Sequence, residues 1–341
     1  MIRFLIIAVL ATCASATDQP PAPLAVHRGK TVDFASAPSG AITGPTKCDD
    51  SGTIYFRQYK AKDAYGSPIL KLDPRENQSL LIDVSAIKDS SIPKASTLKF
   101  VDFSASAGTI YVAATDEDAK AYVVRLSADD GAVKSVIPLE DKFYPFKIAA
   151  FSSGALAVAG VKTIQKPDST TALLSDMVLI DTTGRIAKHL HAGDWGGPTG
   201  NQTVENEGLD NLSLSLMEGS GASAYLIQSS APATLTVVGE DGTVQPARKL
   251  WSPGEDFTAF NVRGLGTSVL VEYVKDLRGS AKDSGTVTEF VLYDLSVDQP
   301  VLIYRQDQDL AGAFACYDWR DGFTFVSNHA GHAVLISGST K

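Results

Sequence analysis

The sequence predicts an all-β fold built from repeated four-stranded sheets set around a common axis. Three observations carry this reading. Apolar strand signals recur six times in the same inner order. Turn glycines punctuate them at a mean period of 54 residues between Gly52 and Gly322. The strands within each copy then become more polar toward its end, as expected when the last one lies at an exposed rim.

In chain order, the first residues read as an address. Met1-Ile2-Arg3 is a short basic start, followed by an apolar run from Phe4 to Ala11. Ala14-Ser15-Ala16 supplies the small residues a signal peptidase reads, which predicts a signal peptide over 1–16 and a single domain over 17–341. The apolar run falls short of the roughly 20 residues a transmembrane helix needs. Leu10-Ala11-Thr12-Cys13 approaches a lipoprotein box, but Thr12 stands where Gly, Ala or Ser is usual. An exported protein, periplasmic or secreted, is expected either way, with lipid anchoring at Cys13 as the lesser alternative.

The repeat begins at Gly52-Thr53-Ile54-Tyr55-Phe56 and returns at Gly108-Thr109-Ile110-Tyr111-Val112 and Gly154-Ala155-Leu156-Ala157-Val158. Weaker copies start at Ala222, Thr267 and Gly322. An apolar inner strand precedes each clear turn, as in Phe100-Val101-Asp102-Phe103. A third strand follows, as in Tyr122-Val123-Val124-Arg125-Leu126. Turn chemistry comes next at Asp129-Asp130-Gly131, Asp181-Thr182-Thr183-Gly184 and Glu240-Asp241-Gly242. A strand period of this length points to a propeller.

The sixth copy lacks a fourth strand, because the sequence ends soon after Ile336. Thr31-Val32-Asp33-Phe34-Ala35 is an unpaired strand signal ahead of the first copy. Placing it beside the strand containing Leu335 completes the last blade and removes two exposed edges. The pattern resembles the six-bladed β-propeller superfamily, in the broad TolB-like and NHL-like group of exported bacterial proteins. The resemblance covers essentially the whole mature chain, but no WD, Kelch or YWTD signature narrows it. A pair of β-sandwiches is the alternative fold.

Composition excludes some partners. With 30 Lys+Arg against 39 Asp+Glu, the net charge of −9 offers no footprint for nucleic acid or anionic lipid. A monomer is expected. No nucleophile elbow, zincin motif, Cys-x-x-Cys or phosphate loop occurs, so no catalytic residue and no cofactor is assigned. His189 and His191 share a strand face, and His329 and His332 flank a short turn; neither pair has an evident third ligand, so no metal is assigned.

Two function classes stay open. The first is a non-catalytic scaffold that binds an unknown protein, peptide or glycan on a loop-rich face. Its insertions are Lys162 to Ser175, Gly193 to Asn211 and Lys275 to Val287, and its candidates are Asp194, Trp195, Glu205, Glu207 and Asp210. Trp195 reads as an aromatic anchor or as a plug for its own loop. The second is a metal-dependent hydrolase of the lactonase type. The resemblance implies a channel-mouth site for it, for which Asp102, Asn261 and Asp318 offer suitable residue types.

Two cysteines remain after cleavage. In the repeat register Cys48 and Cys316 fall on or just before the inner strands of the first and last copies. Ring closure makes those copies neighbours, so a disulfide is expected between them.

Overall fold

The computed structural model describes residues 20–38, 40–59, 68–92, 98–165, 167, 171–191, 215–229, 232–276, 285–297, 299–318 and 322–340. Among these the chain is all-β apart from one 3-10 turn at Val84–Ala86. Four sheets have four strands each, in plain sequence order. They are β2 (Ala41–Cys48), β3 (Ile54–Tyr59), β4 (Ile69–Asp73) and β5 (Gln78–Ile82); then β6 (Lys99–Ser106), β7 (Thr109–Thr115), β8 (Ala121–Ser127) and β9 (Val133–Pro138). Next come β10 (Phe143–Ala150), β11 (Leu156–Gln165), β12 (Thr171–Ile180) and β13 (Ile186–His191), and β14 (Leu216–Ser220), β15 (Ser223–Gln228), β16 (Thr234–Gly239) and β17 (Arg248–Lys249).

The remaining strands join in one eight-stranded sheet. Its members are β1 (Leu24–Pro38), β18 (Thr258–Leu265), β19 (Ser268–Asp276), β20 (Thr286–Asp294), β21 (Pro300–Gln306), β22 (Ala313–Asp318), β23 (Gly322–His329) and β24 (His332–Ser339). The order is β18-β19-β20-β21-β1-β24-β23-β22. The expectation of six separate blades therefore meets four sheets and one double-width sheet. The cause is the length of β1. Its first residues pair in parallel with β21 (Leu24↔Tyr304, Ala25↔Arg305, Val26↔Gln306) before the rest turns to β24. There Thr31↔Ile336, Val32↔Leu335 and Asp33↔Val334 pair antiparallel, at the position the sequence predicts for this strand.

Local chemistry explains the strands and turns. β7 reads Thr-Ile-Tyr-Val-Ala-Ala-Thr, and its five central residues are all buried, as suits a strand packed on both faces. The turns between strands are held by aspartates that accept backbone N–H groups. Asp49 Oδ1 accepts from Ser51 N at 2.9 Å and Thr53 N at 3.1 Å, and Asp181 Oδ1 from Thr183 N and Arg185 N, each at 2.9 Å. Gly52 completes the first turn at φ +79°, where a side chain would be strained.

Apolar clusters lie between successive strand groups, in propeller-like fashion. Tyr55 and Ile69 meet Phe103 and Val112; Tyr111 and Val123 meet Ile148 and Val158; Ala157 and Met177 meet Met217 and Leu226. Tyr225 and Leu235 then meet Val262 and Val271, and Leu270 and Phe290 meet Phe314 and Phe323. The last cluster returns to the start, with Ala315 and Leu335 against Ile54 and Phe56. The first strands of successive units pack side by side, and β22 packs back onto β2. Close approach requires Gly219, where an added Cβ would stand 2.0 Å from the Ala150 carbonyl oxygen. Cys48 and Cys316 form a disulfide, with Cα atoms 5.6 Å apart and 268 residues between them in sequence.

Two outcomes are expected. Replacing both cysteines with serine lowers the unfolding free energy by up to about 5 kcal/mol on the chain-entropy account, read from urea titrations. On β19 the Glu272 carboxyl is fully buried and pushed up to about 8 by that burial. Its neutral form is favoured in the folded chain, so its contribution is complete below the unfolded carboxylate pKa and is lost as pH rises toward 8. Glu272→Gln therefore raises stability at pH 8 relative to wild type by on the order of 2 kcal/mol and by much less at pH 5. An equal effect at both pH values would contradict this assignment.

Candidate functional site

Each inner strand has one side facing the axis with no strand to pair with, so its backbone groups need other partners. Polar side chains from neighbouring or facing inner strands supply them. Asp102 Oδ2 accepts from Ile148 N at 3.0 Å, and Ser104 Oγ from Ala150 N at 3.0 Å. Lys47 Nζ donates to the Met217 carbonyl at 2.6 Å. Thr46 Oγ1 donates to the Phe314 carbonyl, and Arg263 Nη1 to the Cys48 carbonyl. These pairs also fix direction. Residues 102 and 104 face 148 and 150, while 46 and 48 face 314 and 316, so these inner strands run the same way along the axis.

A bulge recurs at one level of this ring. The register shifts between Phe100 and Asp102, Pro145 and Lys147, Ala259 and Asn261, Phe314 and Cys316, and across Thr43 to Lys47. A bulge re-aims the side chain beside it. The residues just past it are Lys47, Asp102, Lys147, Asn261 and Cys316. Asp102 and Asn261, both proposed from sequence for the channel mouth, thus stand at equivalent positions. Asp318 lies two residues further on, exposed at the end of β22.

Cations occupy the same level. Burial holds the Lys147 ammonium below the usual lysine range; the Asp102 carboxylate opposes this shift, and Lys47 adds to it. Burial also lowers the Arg57 guanidinium, again opposed by Asp102. Arg57 stacks 3.8 Å over the Phe100 ring. Glu218 Oε1 meets Arg263 Nη1 at 2.6 Å, both side chains nearly buried. Asn261 is engaged as well, donating to Thr46 Oγ1 at 3.4 Å and accepting from Val262 N at 2.9 Å.

Strand direction sorts the connections onto two faces. The face where the inner strands begin carries the β11–β12, β19–β20 and β23–β24 hairpin ends. Ladder pairing reaches into two of the predicted insertions, over most of the described residues of the first and at both ends of the second. Lys162 to Gln165 pair with Leu174 to Thr171, and Lys275 and Asp276 with Val287 and Thr286. The apolar-polar alternation there continues the strand, which the sequence reading cut short. Asp194, Trp195, Glu205, Glu207 and Asp210 lie outside the described residues, as do residues 1–16. The segment holding those five runs between His191 and Ser215, both at this face. Phe260, the extra residue of the β18 bulge, is 55% exposed near the same end. It escaped the sequence reading because its neighbours look like ordinary strand.

Histidines on this face are partly committed. His189 Nδ1 lies 3.1 Å from Asp176 Oδ2 and its Nε2 3.0 Å from Glu140 Oε1; Lys162 Nζ reaches Glu140 Oε2 at 2.6 Å. The Glu140 carboxyl is held below its usual range, chiefly by the Lys162 hydrogen bond. His191 Nδ1 stands 3.3 Å from Asp176 Oδ1. On the opposite face a cleft of about 390 Å³ opens among Asp49, Lys71, Asp73, Arg75, Glu76 and Asp129. Two of its acids serve local turns: Asp73 Oδ1 accepts from Arg75 N at 2.9 Å, and Asp49 holds the turn described above.

No protein-family model and no curated protein sequence matches the chain. Among solved structures, a subtype N11 neuraminidase-like protein of A/flat-faced bat/Peru/033/2010 aligns over 94% of this chain and 96% of its own, at 9% identity and a TM-score of 0.48. A gluconolactonase of Xanthomonas campestris aligns over 94% and 99%, at 10% identity and a TM-score of 0.47. The WD40 repeats of RRP9 align over 89% and 74%, at 9% identity and a TM-score of 0.47. The propeller description rests on this chain's own sheet order and inter-sheet cores.

The axial ion pair gives a direct test. Glu218→Gln leaves the Arg263 charge buried without its counterion and is expected to cost about 3 kcal/mol in urea unfolding. The double replacement Glu218→Gln with Arg263→Met is expected to recover much of that loss.

Proposed function

We propose that the chain is an exported six-bladed β-propeller that acts as a non-catalytic scaffold, binding a protein, peptide or glycan on the hairpin face. The blade count follows if the eight-stranded sheet is two blades sharing β1, one from β18 to β21 and one from β22 to β24 closed by β1. The cyclic order of inner-strand contacts and inter-sheet cores supports it. The Cys48–Cys316 disulfide supports an oxidising compartment, and with it cleavage after Ala16. No described helix is long and apolar enough to cross a membrane.

One observation carries the binding reading. Several polar side chains of the axis bond the inner-strand backbone or one another. Asp102 is bonded to Ile148 N and faces cations, and Asn261 is bonded to Thr46, which leaves this pair poorly suited to gather a metal with Asp318. That favours the scaffold over the hydrolase. The hairpin face offers the extended hairpins β11–β12 and β19–β20 and the exposed Phe260 ring, and the proposal adds to them the segment with Asp194, Trp195, Glu205, Glu207 and Asp210, which joins β13 to β14.

The test is capture from an exported fraction with immobilised wild type, Trp195→Ala and Phe260→Ala. A partner retained by wild type, and at least tenfold less by either variant, is the expected result. Equal retention by all three would remove the hairpin face from the interaction. Metal-dependent lactone hydrolysis that disappears in Asp102→Asn would establish the enzyme instead.

A further inference from the structure

The β23–β24 hairpin and β1 bring together a second group of side chains that neither function above uses. His329 closes β23 and His332 opens β24, and the two are a directly opposed cross-strand pair. Only Ala330 and Gly331 separate them, both at positive φ (48° and 90°), the geometry of a tight two-residue turn. Opposed residues project from the same face of a sheet. The face is shared by Val334, two residues beyond His332, and hence by Asp33, which pairs with Val334 from β1. Three neighbouring strands thus present an aspartate and two histidines on one side.

Their ligand atoms converge. One atom from each of Asp33, His329 and His332 lies within 4.8 Å of the others. The imidazole rings stand nearly perpendicular, at 87°, with centroids 6.4 Å apart. His332 Nε2 is 2.6 Å from Asp33 Oδ1, yet no hydrogen bond satisfies that buried nitrogen. A metal ion in the group would give both atoms a directional bond. Ligand atoms about 2.1 Å from a tetrahedral ion stand about 3.4 Å apart, so small side-chain rotations suffice.

We propose that Asp33, His329 and His332 bind a divalent transition-metal ion of the zinc class. Two imidazoles and one carboxylate suit zinc, cobalt, nickel or copper, whereas calcium and magnesium take oxygen ligands. Three protein ligands leave a fourth position for water. The ion ties β1 to the last hairpin, joining residues about 300 positions apart in sequence at the seam that the Cys48–Cys316 disulfide also crosses. The His189–His191 pair is the weaker candidate, since both ring nitrogens of His189 already face carboxylates.

The experiment is calorimetric titration of zinc chloride into the untagged mature chain, with cobalt(II) absorption as the readout of coordination geometry. One ion per chain is expected, with a cobalt spectrum of four-coordinate intensity and a zinc-dependent rise in Tm. Asp33→Asn, at an exposed side chain that leaves the fold intact, is expected to weaken binding at least tenfold, and His329→Ala and His332→Ala to do the same. His189→Ala is expected to leave it unchanged. Absence of saturable binding to wild type, or binding that survives loss of both His329 and His332, would overturn the proposal. So would dependence on His189 in their place.

Discussion

The structure depends on satisfying the open inner edges of its sheets. A four-stranded sheet set edge-on to an axis leaves one strand whose inward backbone groups have no partner strand. Those groups are costly to bury unpaired. Here Asp102, Ser104, Lys47, Thr46 and Arg263 each reach to the neighbouring or facing inner strand and bond its backbone. The bulge at one level of nearly every inner strand re-aims the side chains beside it, and Asp102 and Glu218 carry charges opposite to those of Lys147 and Arg263.

That solution constrains function. A propeller axis is where converging side chains most readily build a metal or substrate site. In this chain the same side chains are committed to backbone pairing and to Arg263–Glu218 and Asp102–Lys147 electrostatics. The proposed binding surface lies instead on the face where hairpins β11–β12, β19–β20 and β23–β24 end. His189, His329 and His332 stand on paired strands of this face, and Phe260 on the bulge of β18.

The second constraint is closure. Sheets packed face to face through apolar clusters must meet their own beginning, and nothing in the last copy supplies a fourth strand. β1 does so, across some 300 residues of sequence. Its pairing with β24, the cluster of Phe34 and Leu335, and the disulfide all act at that junction. The overreach of β1 onto β21 also joins two units into one sheet.

Much of this was legible in the residues. The glycine-marked strand repeat, the Asp turns, the strand at Thr31 to Ala35 beside Leu335, and the Cys48–Cys316 pair all follow from local patterning, because strand period and turn chemistry act within a few residues. Other features lay beyond it. Lys162 to Gln165 and Lys275 to Asp276 read as loop because ladder pairing depends on the opposing strand. Phe260 looked like ordinary strand because exposure depends on a bulge. Asp33 was legible as a neighbour of the strand containing Leu335, but its meeting with His329 and His332 depends on the pairing register, Asp33↔Val334, which only the folded sheet sets. Sequence alone determined the repeating strand-and-turn chemistry and the residues able to close the chain on itself. Tertiary structure decided which polar groups meet, because the energy of a buried charge or an imidazole depends on neighbours that the chain supplies from hundreds of residues away.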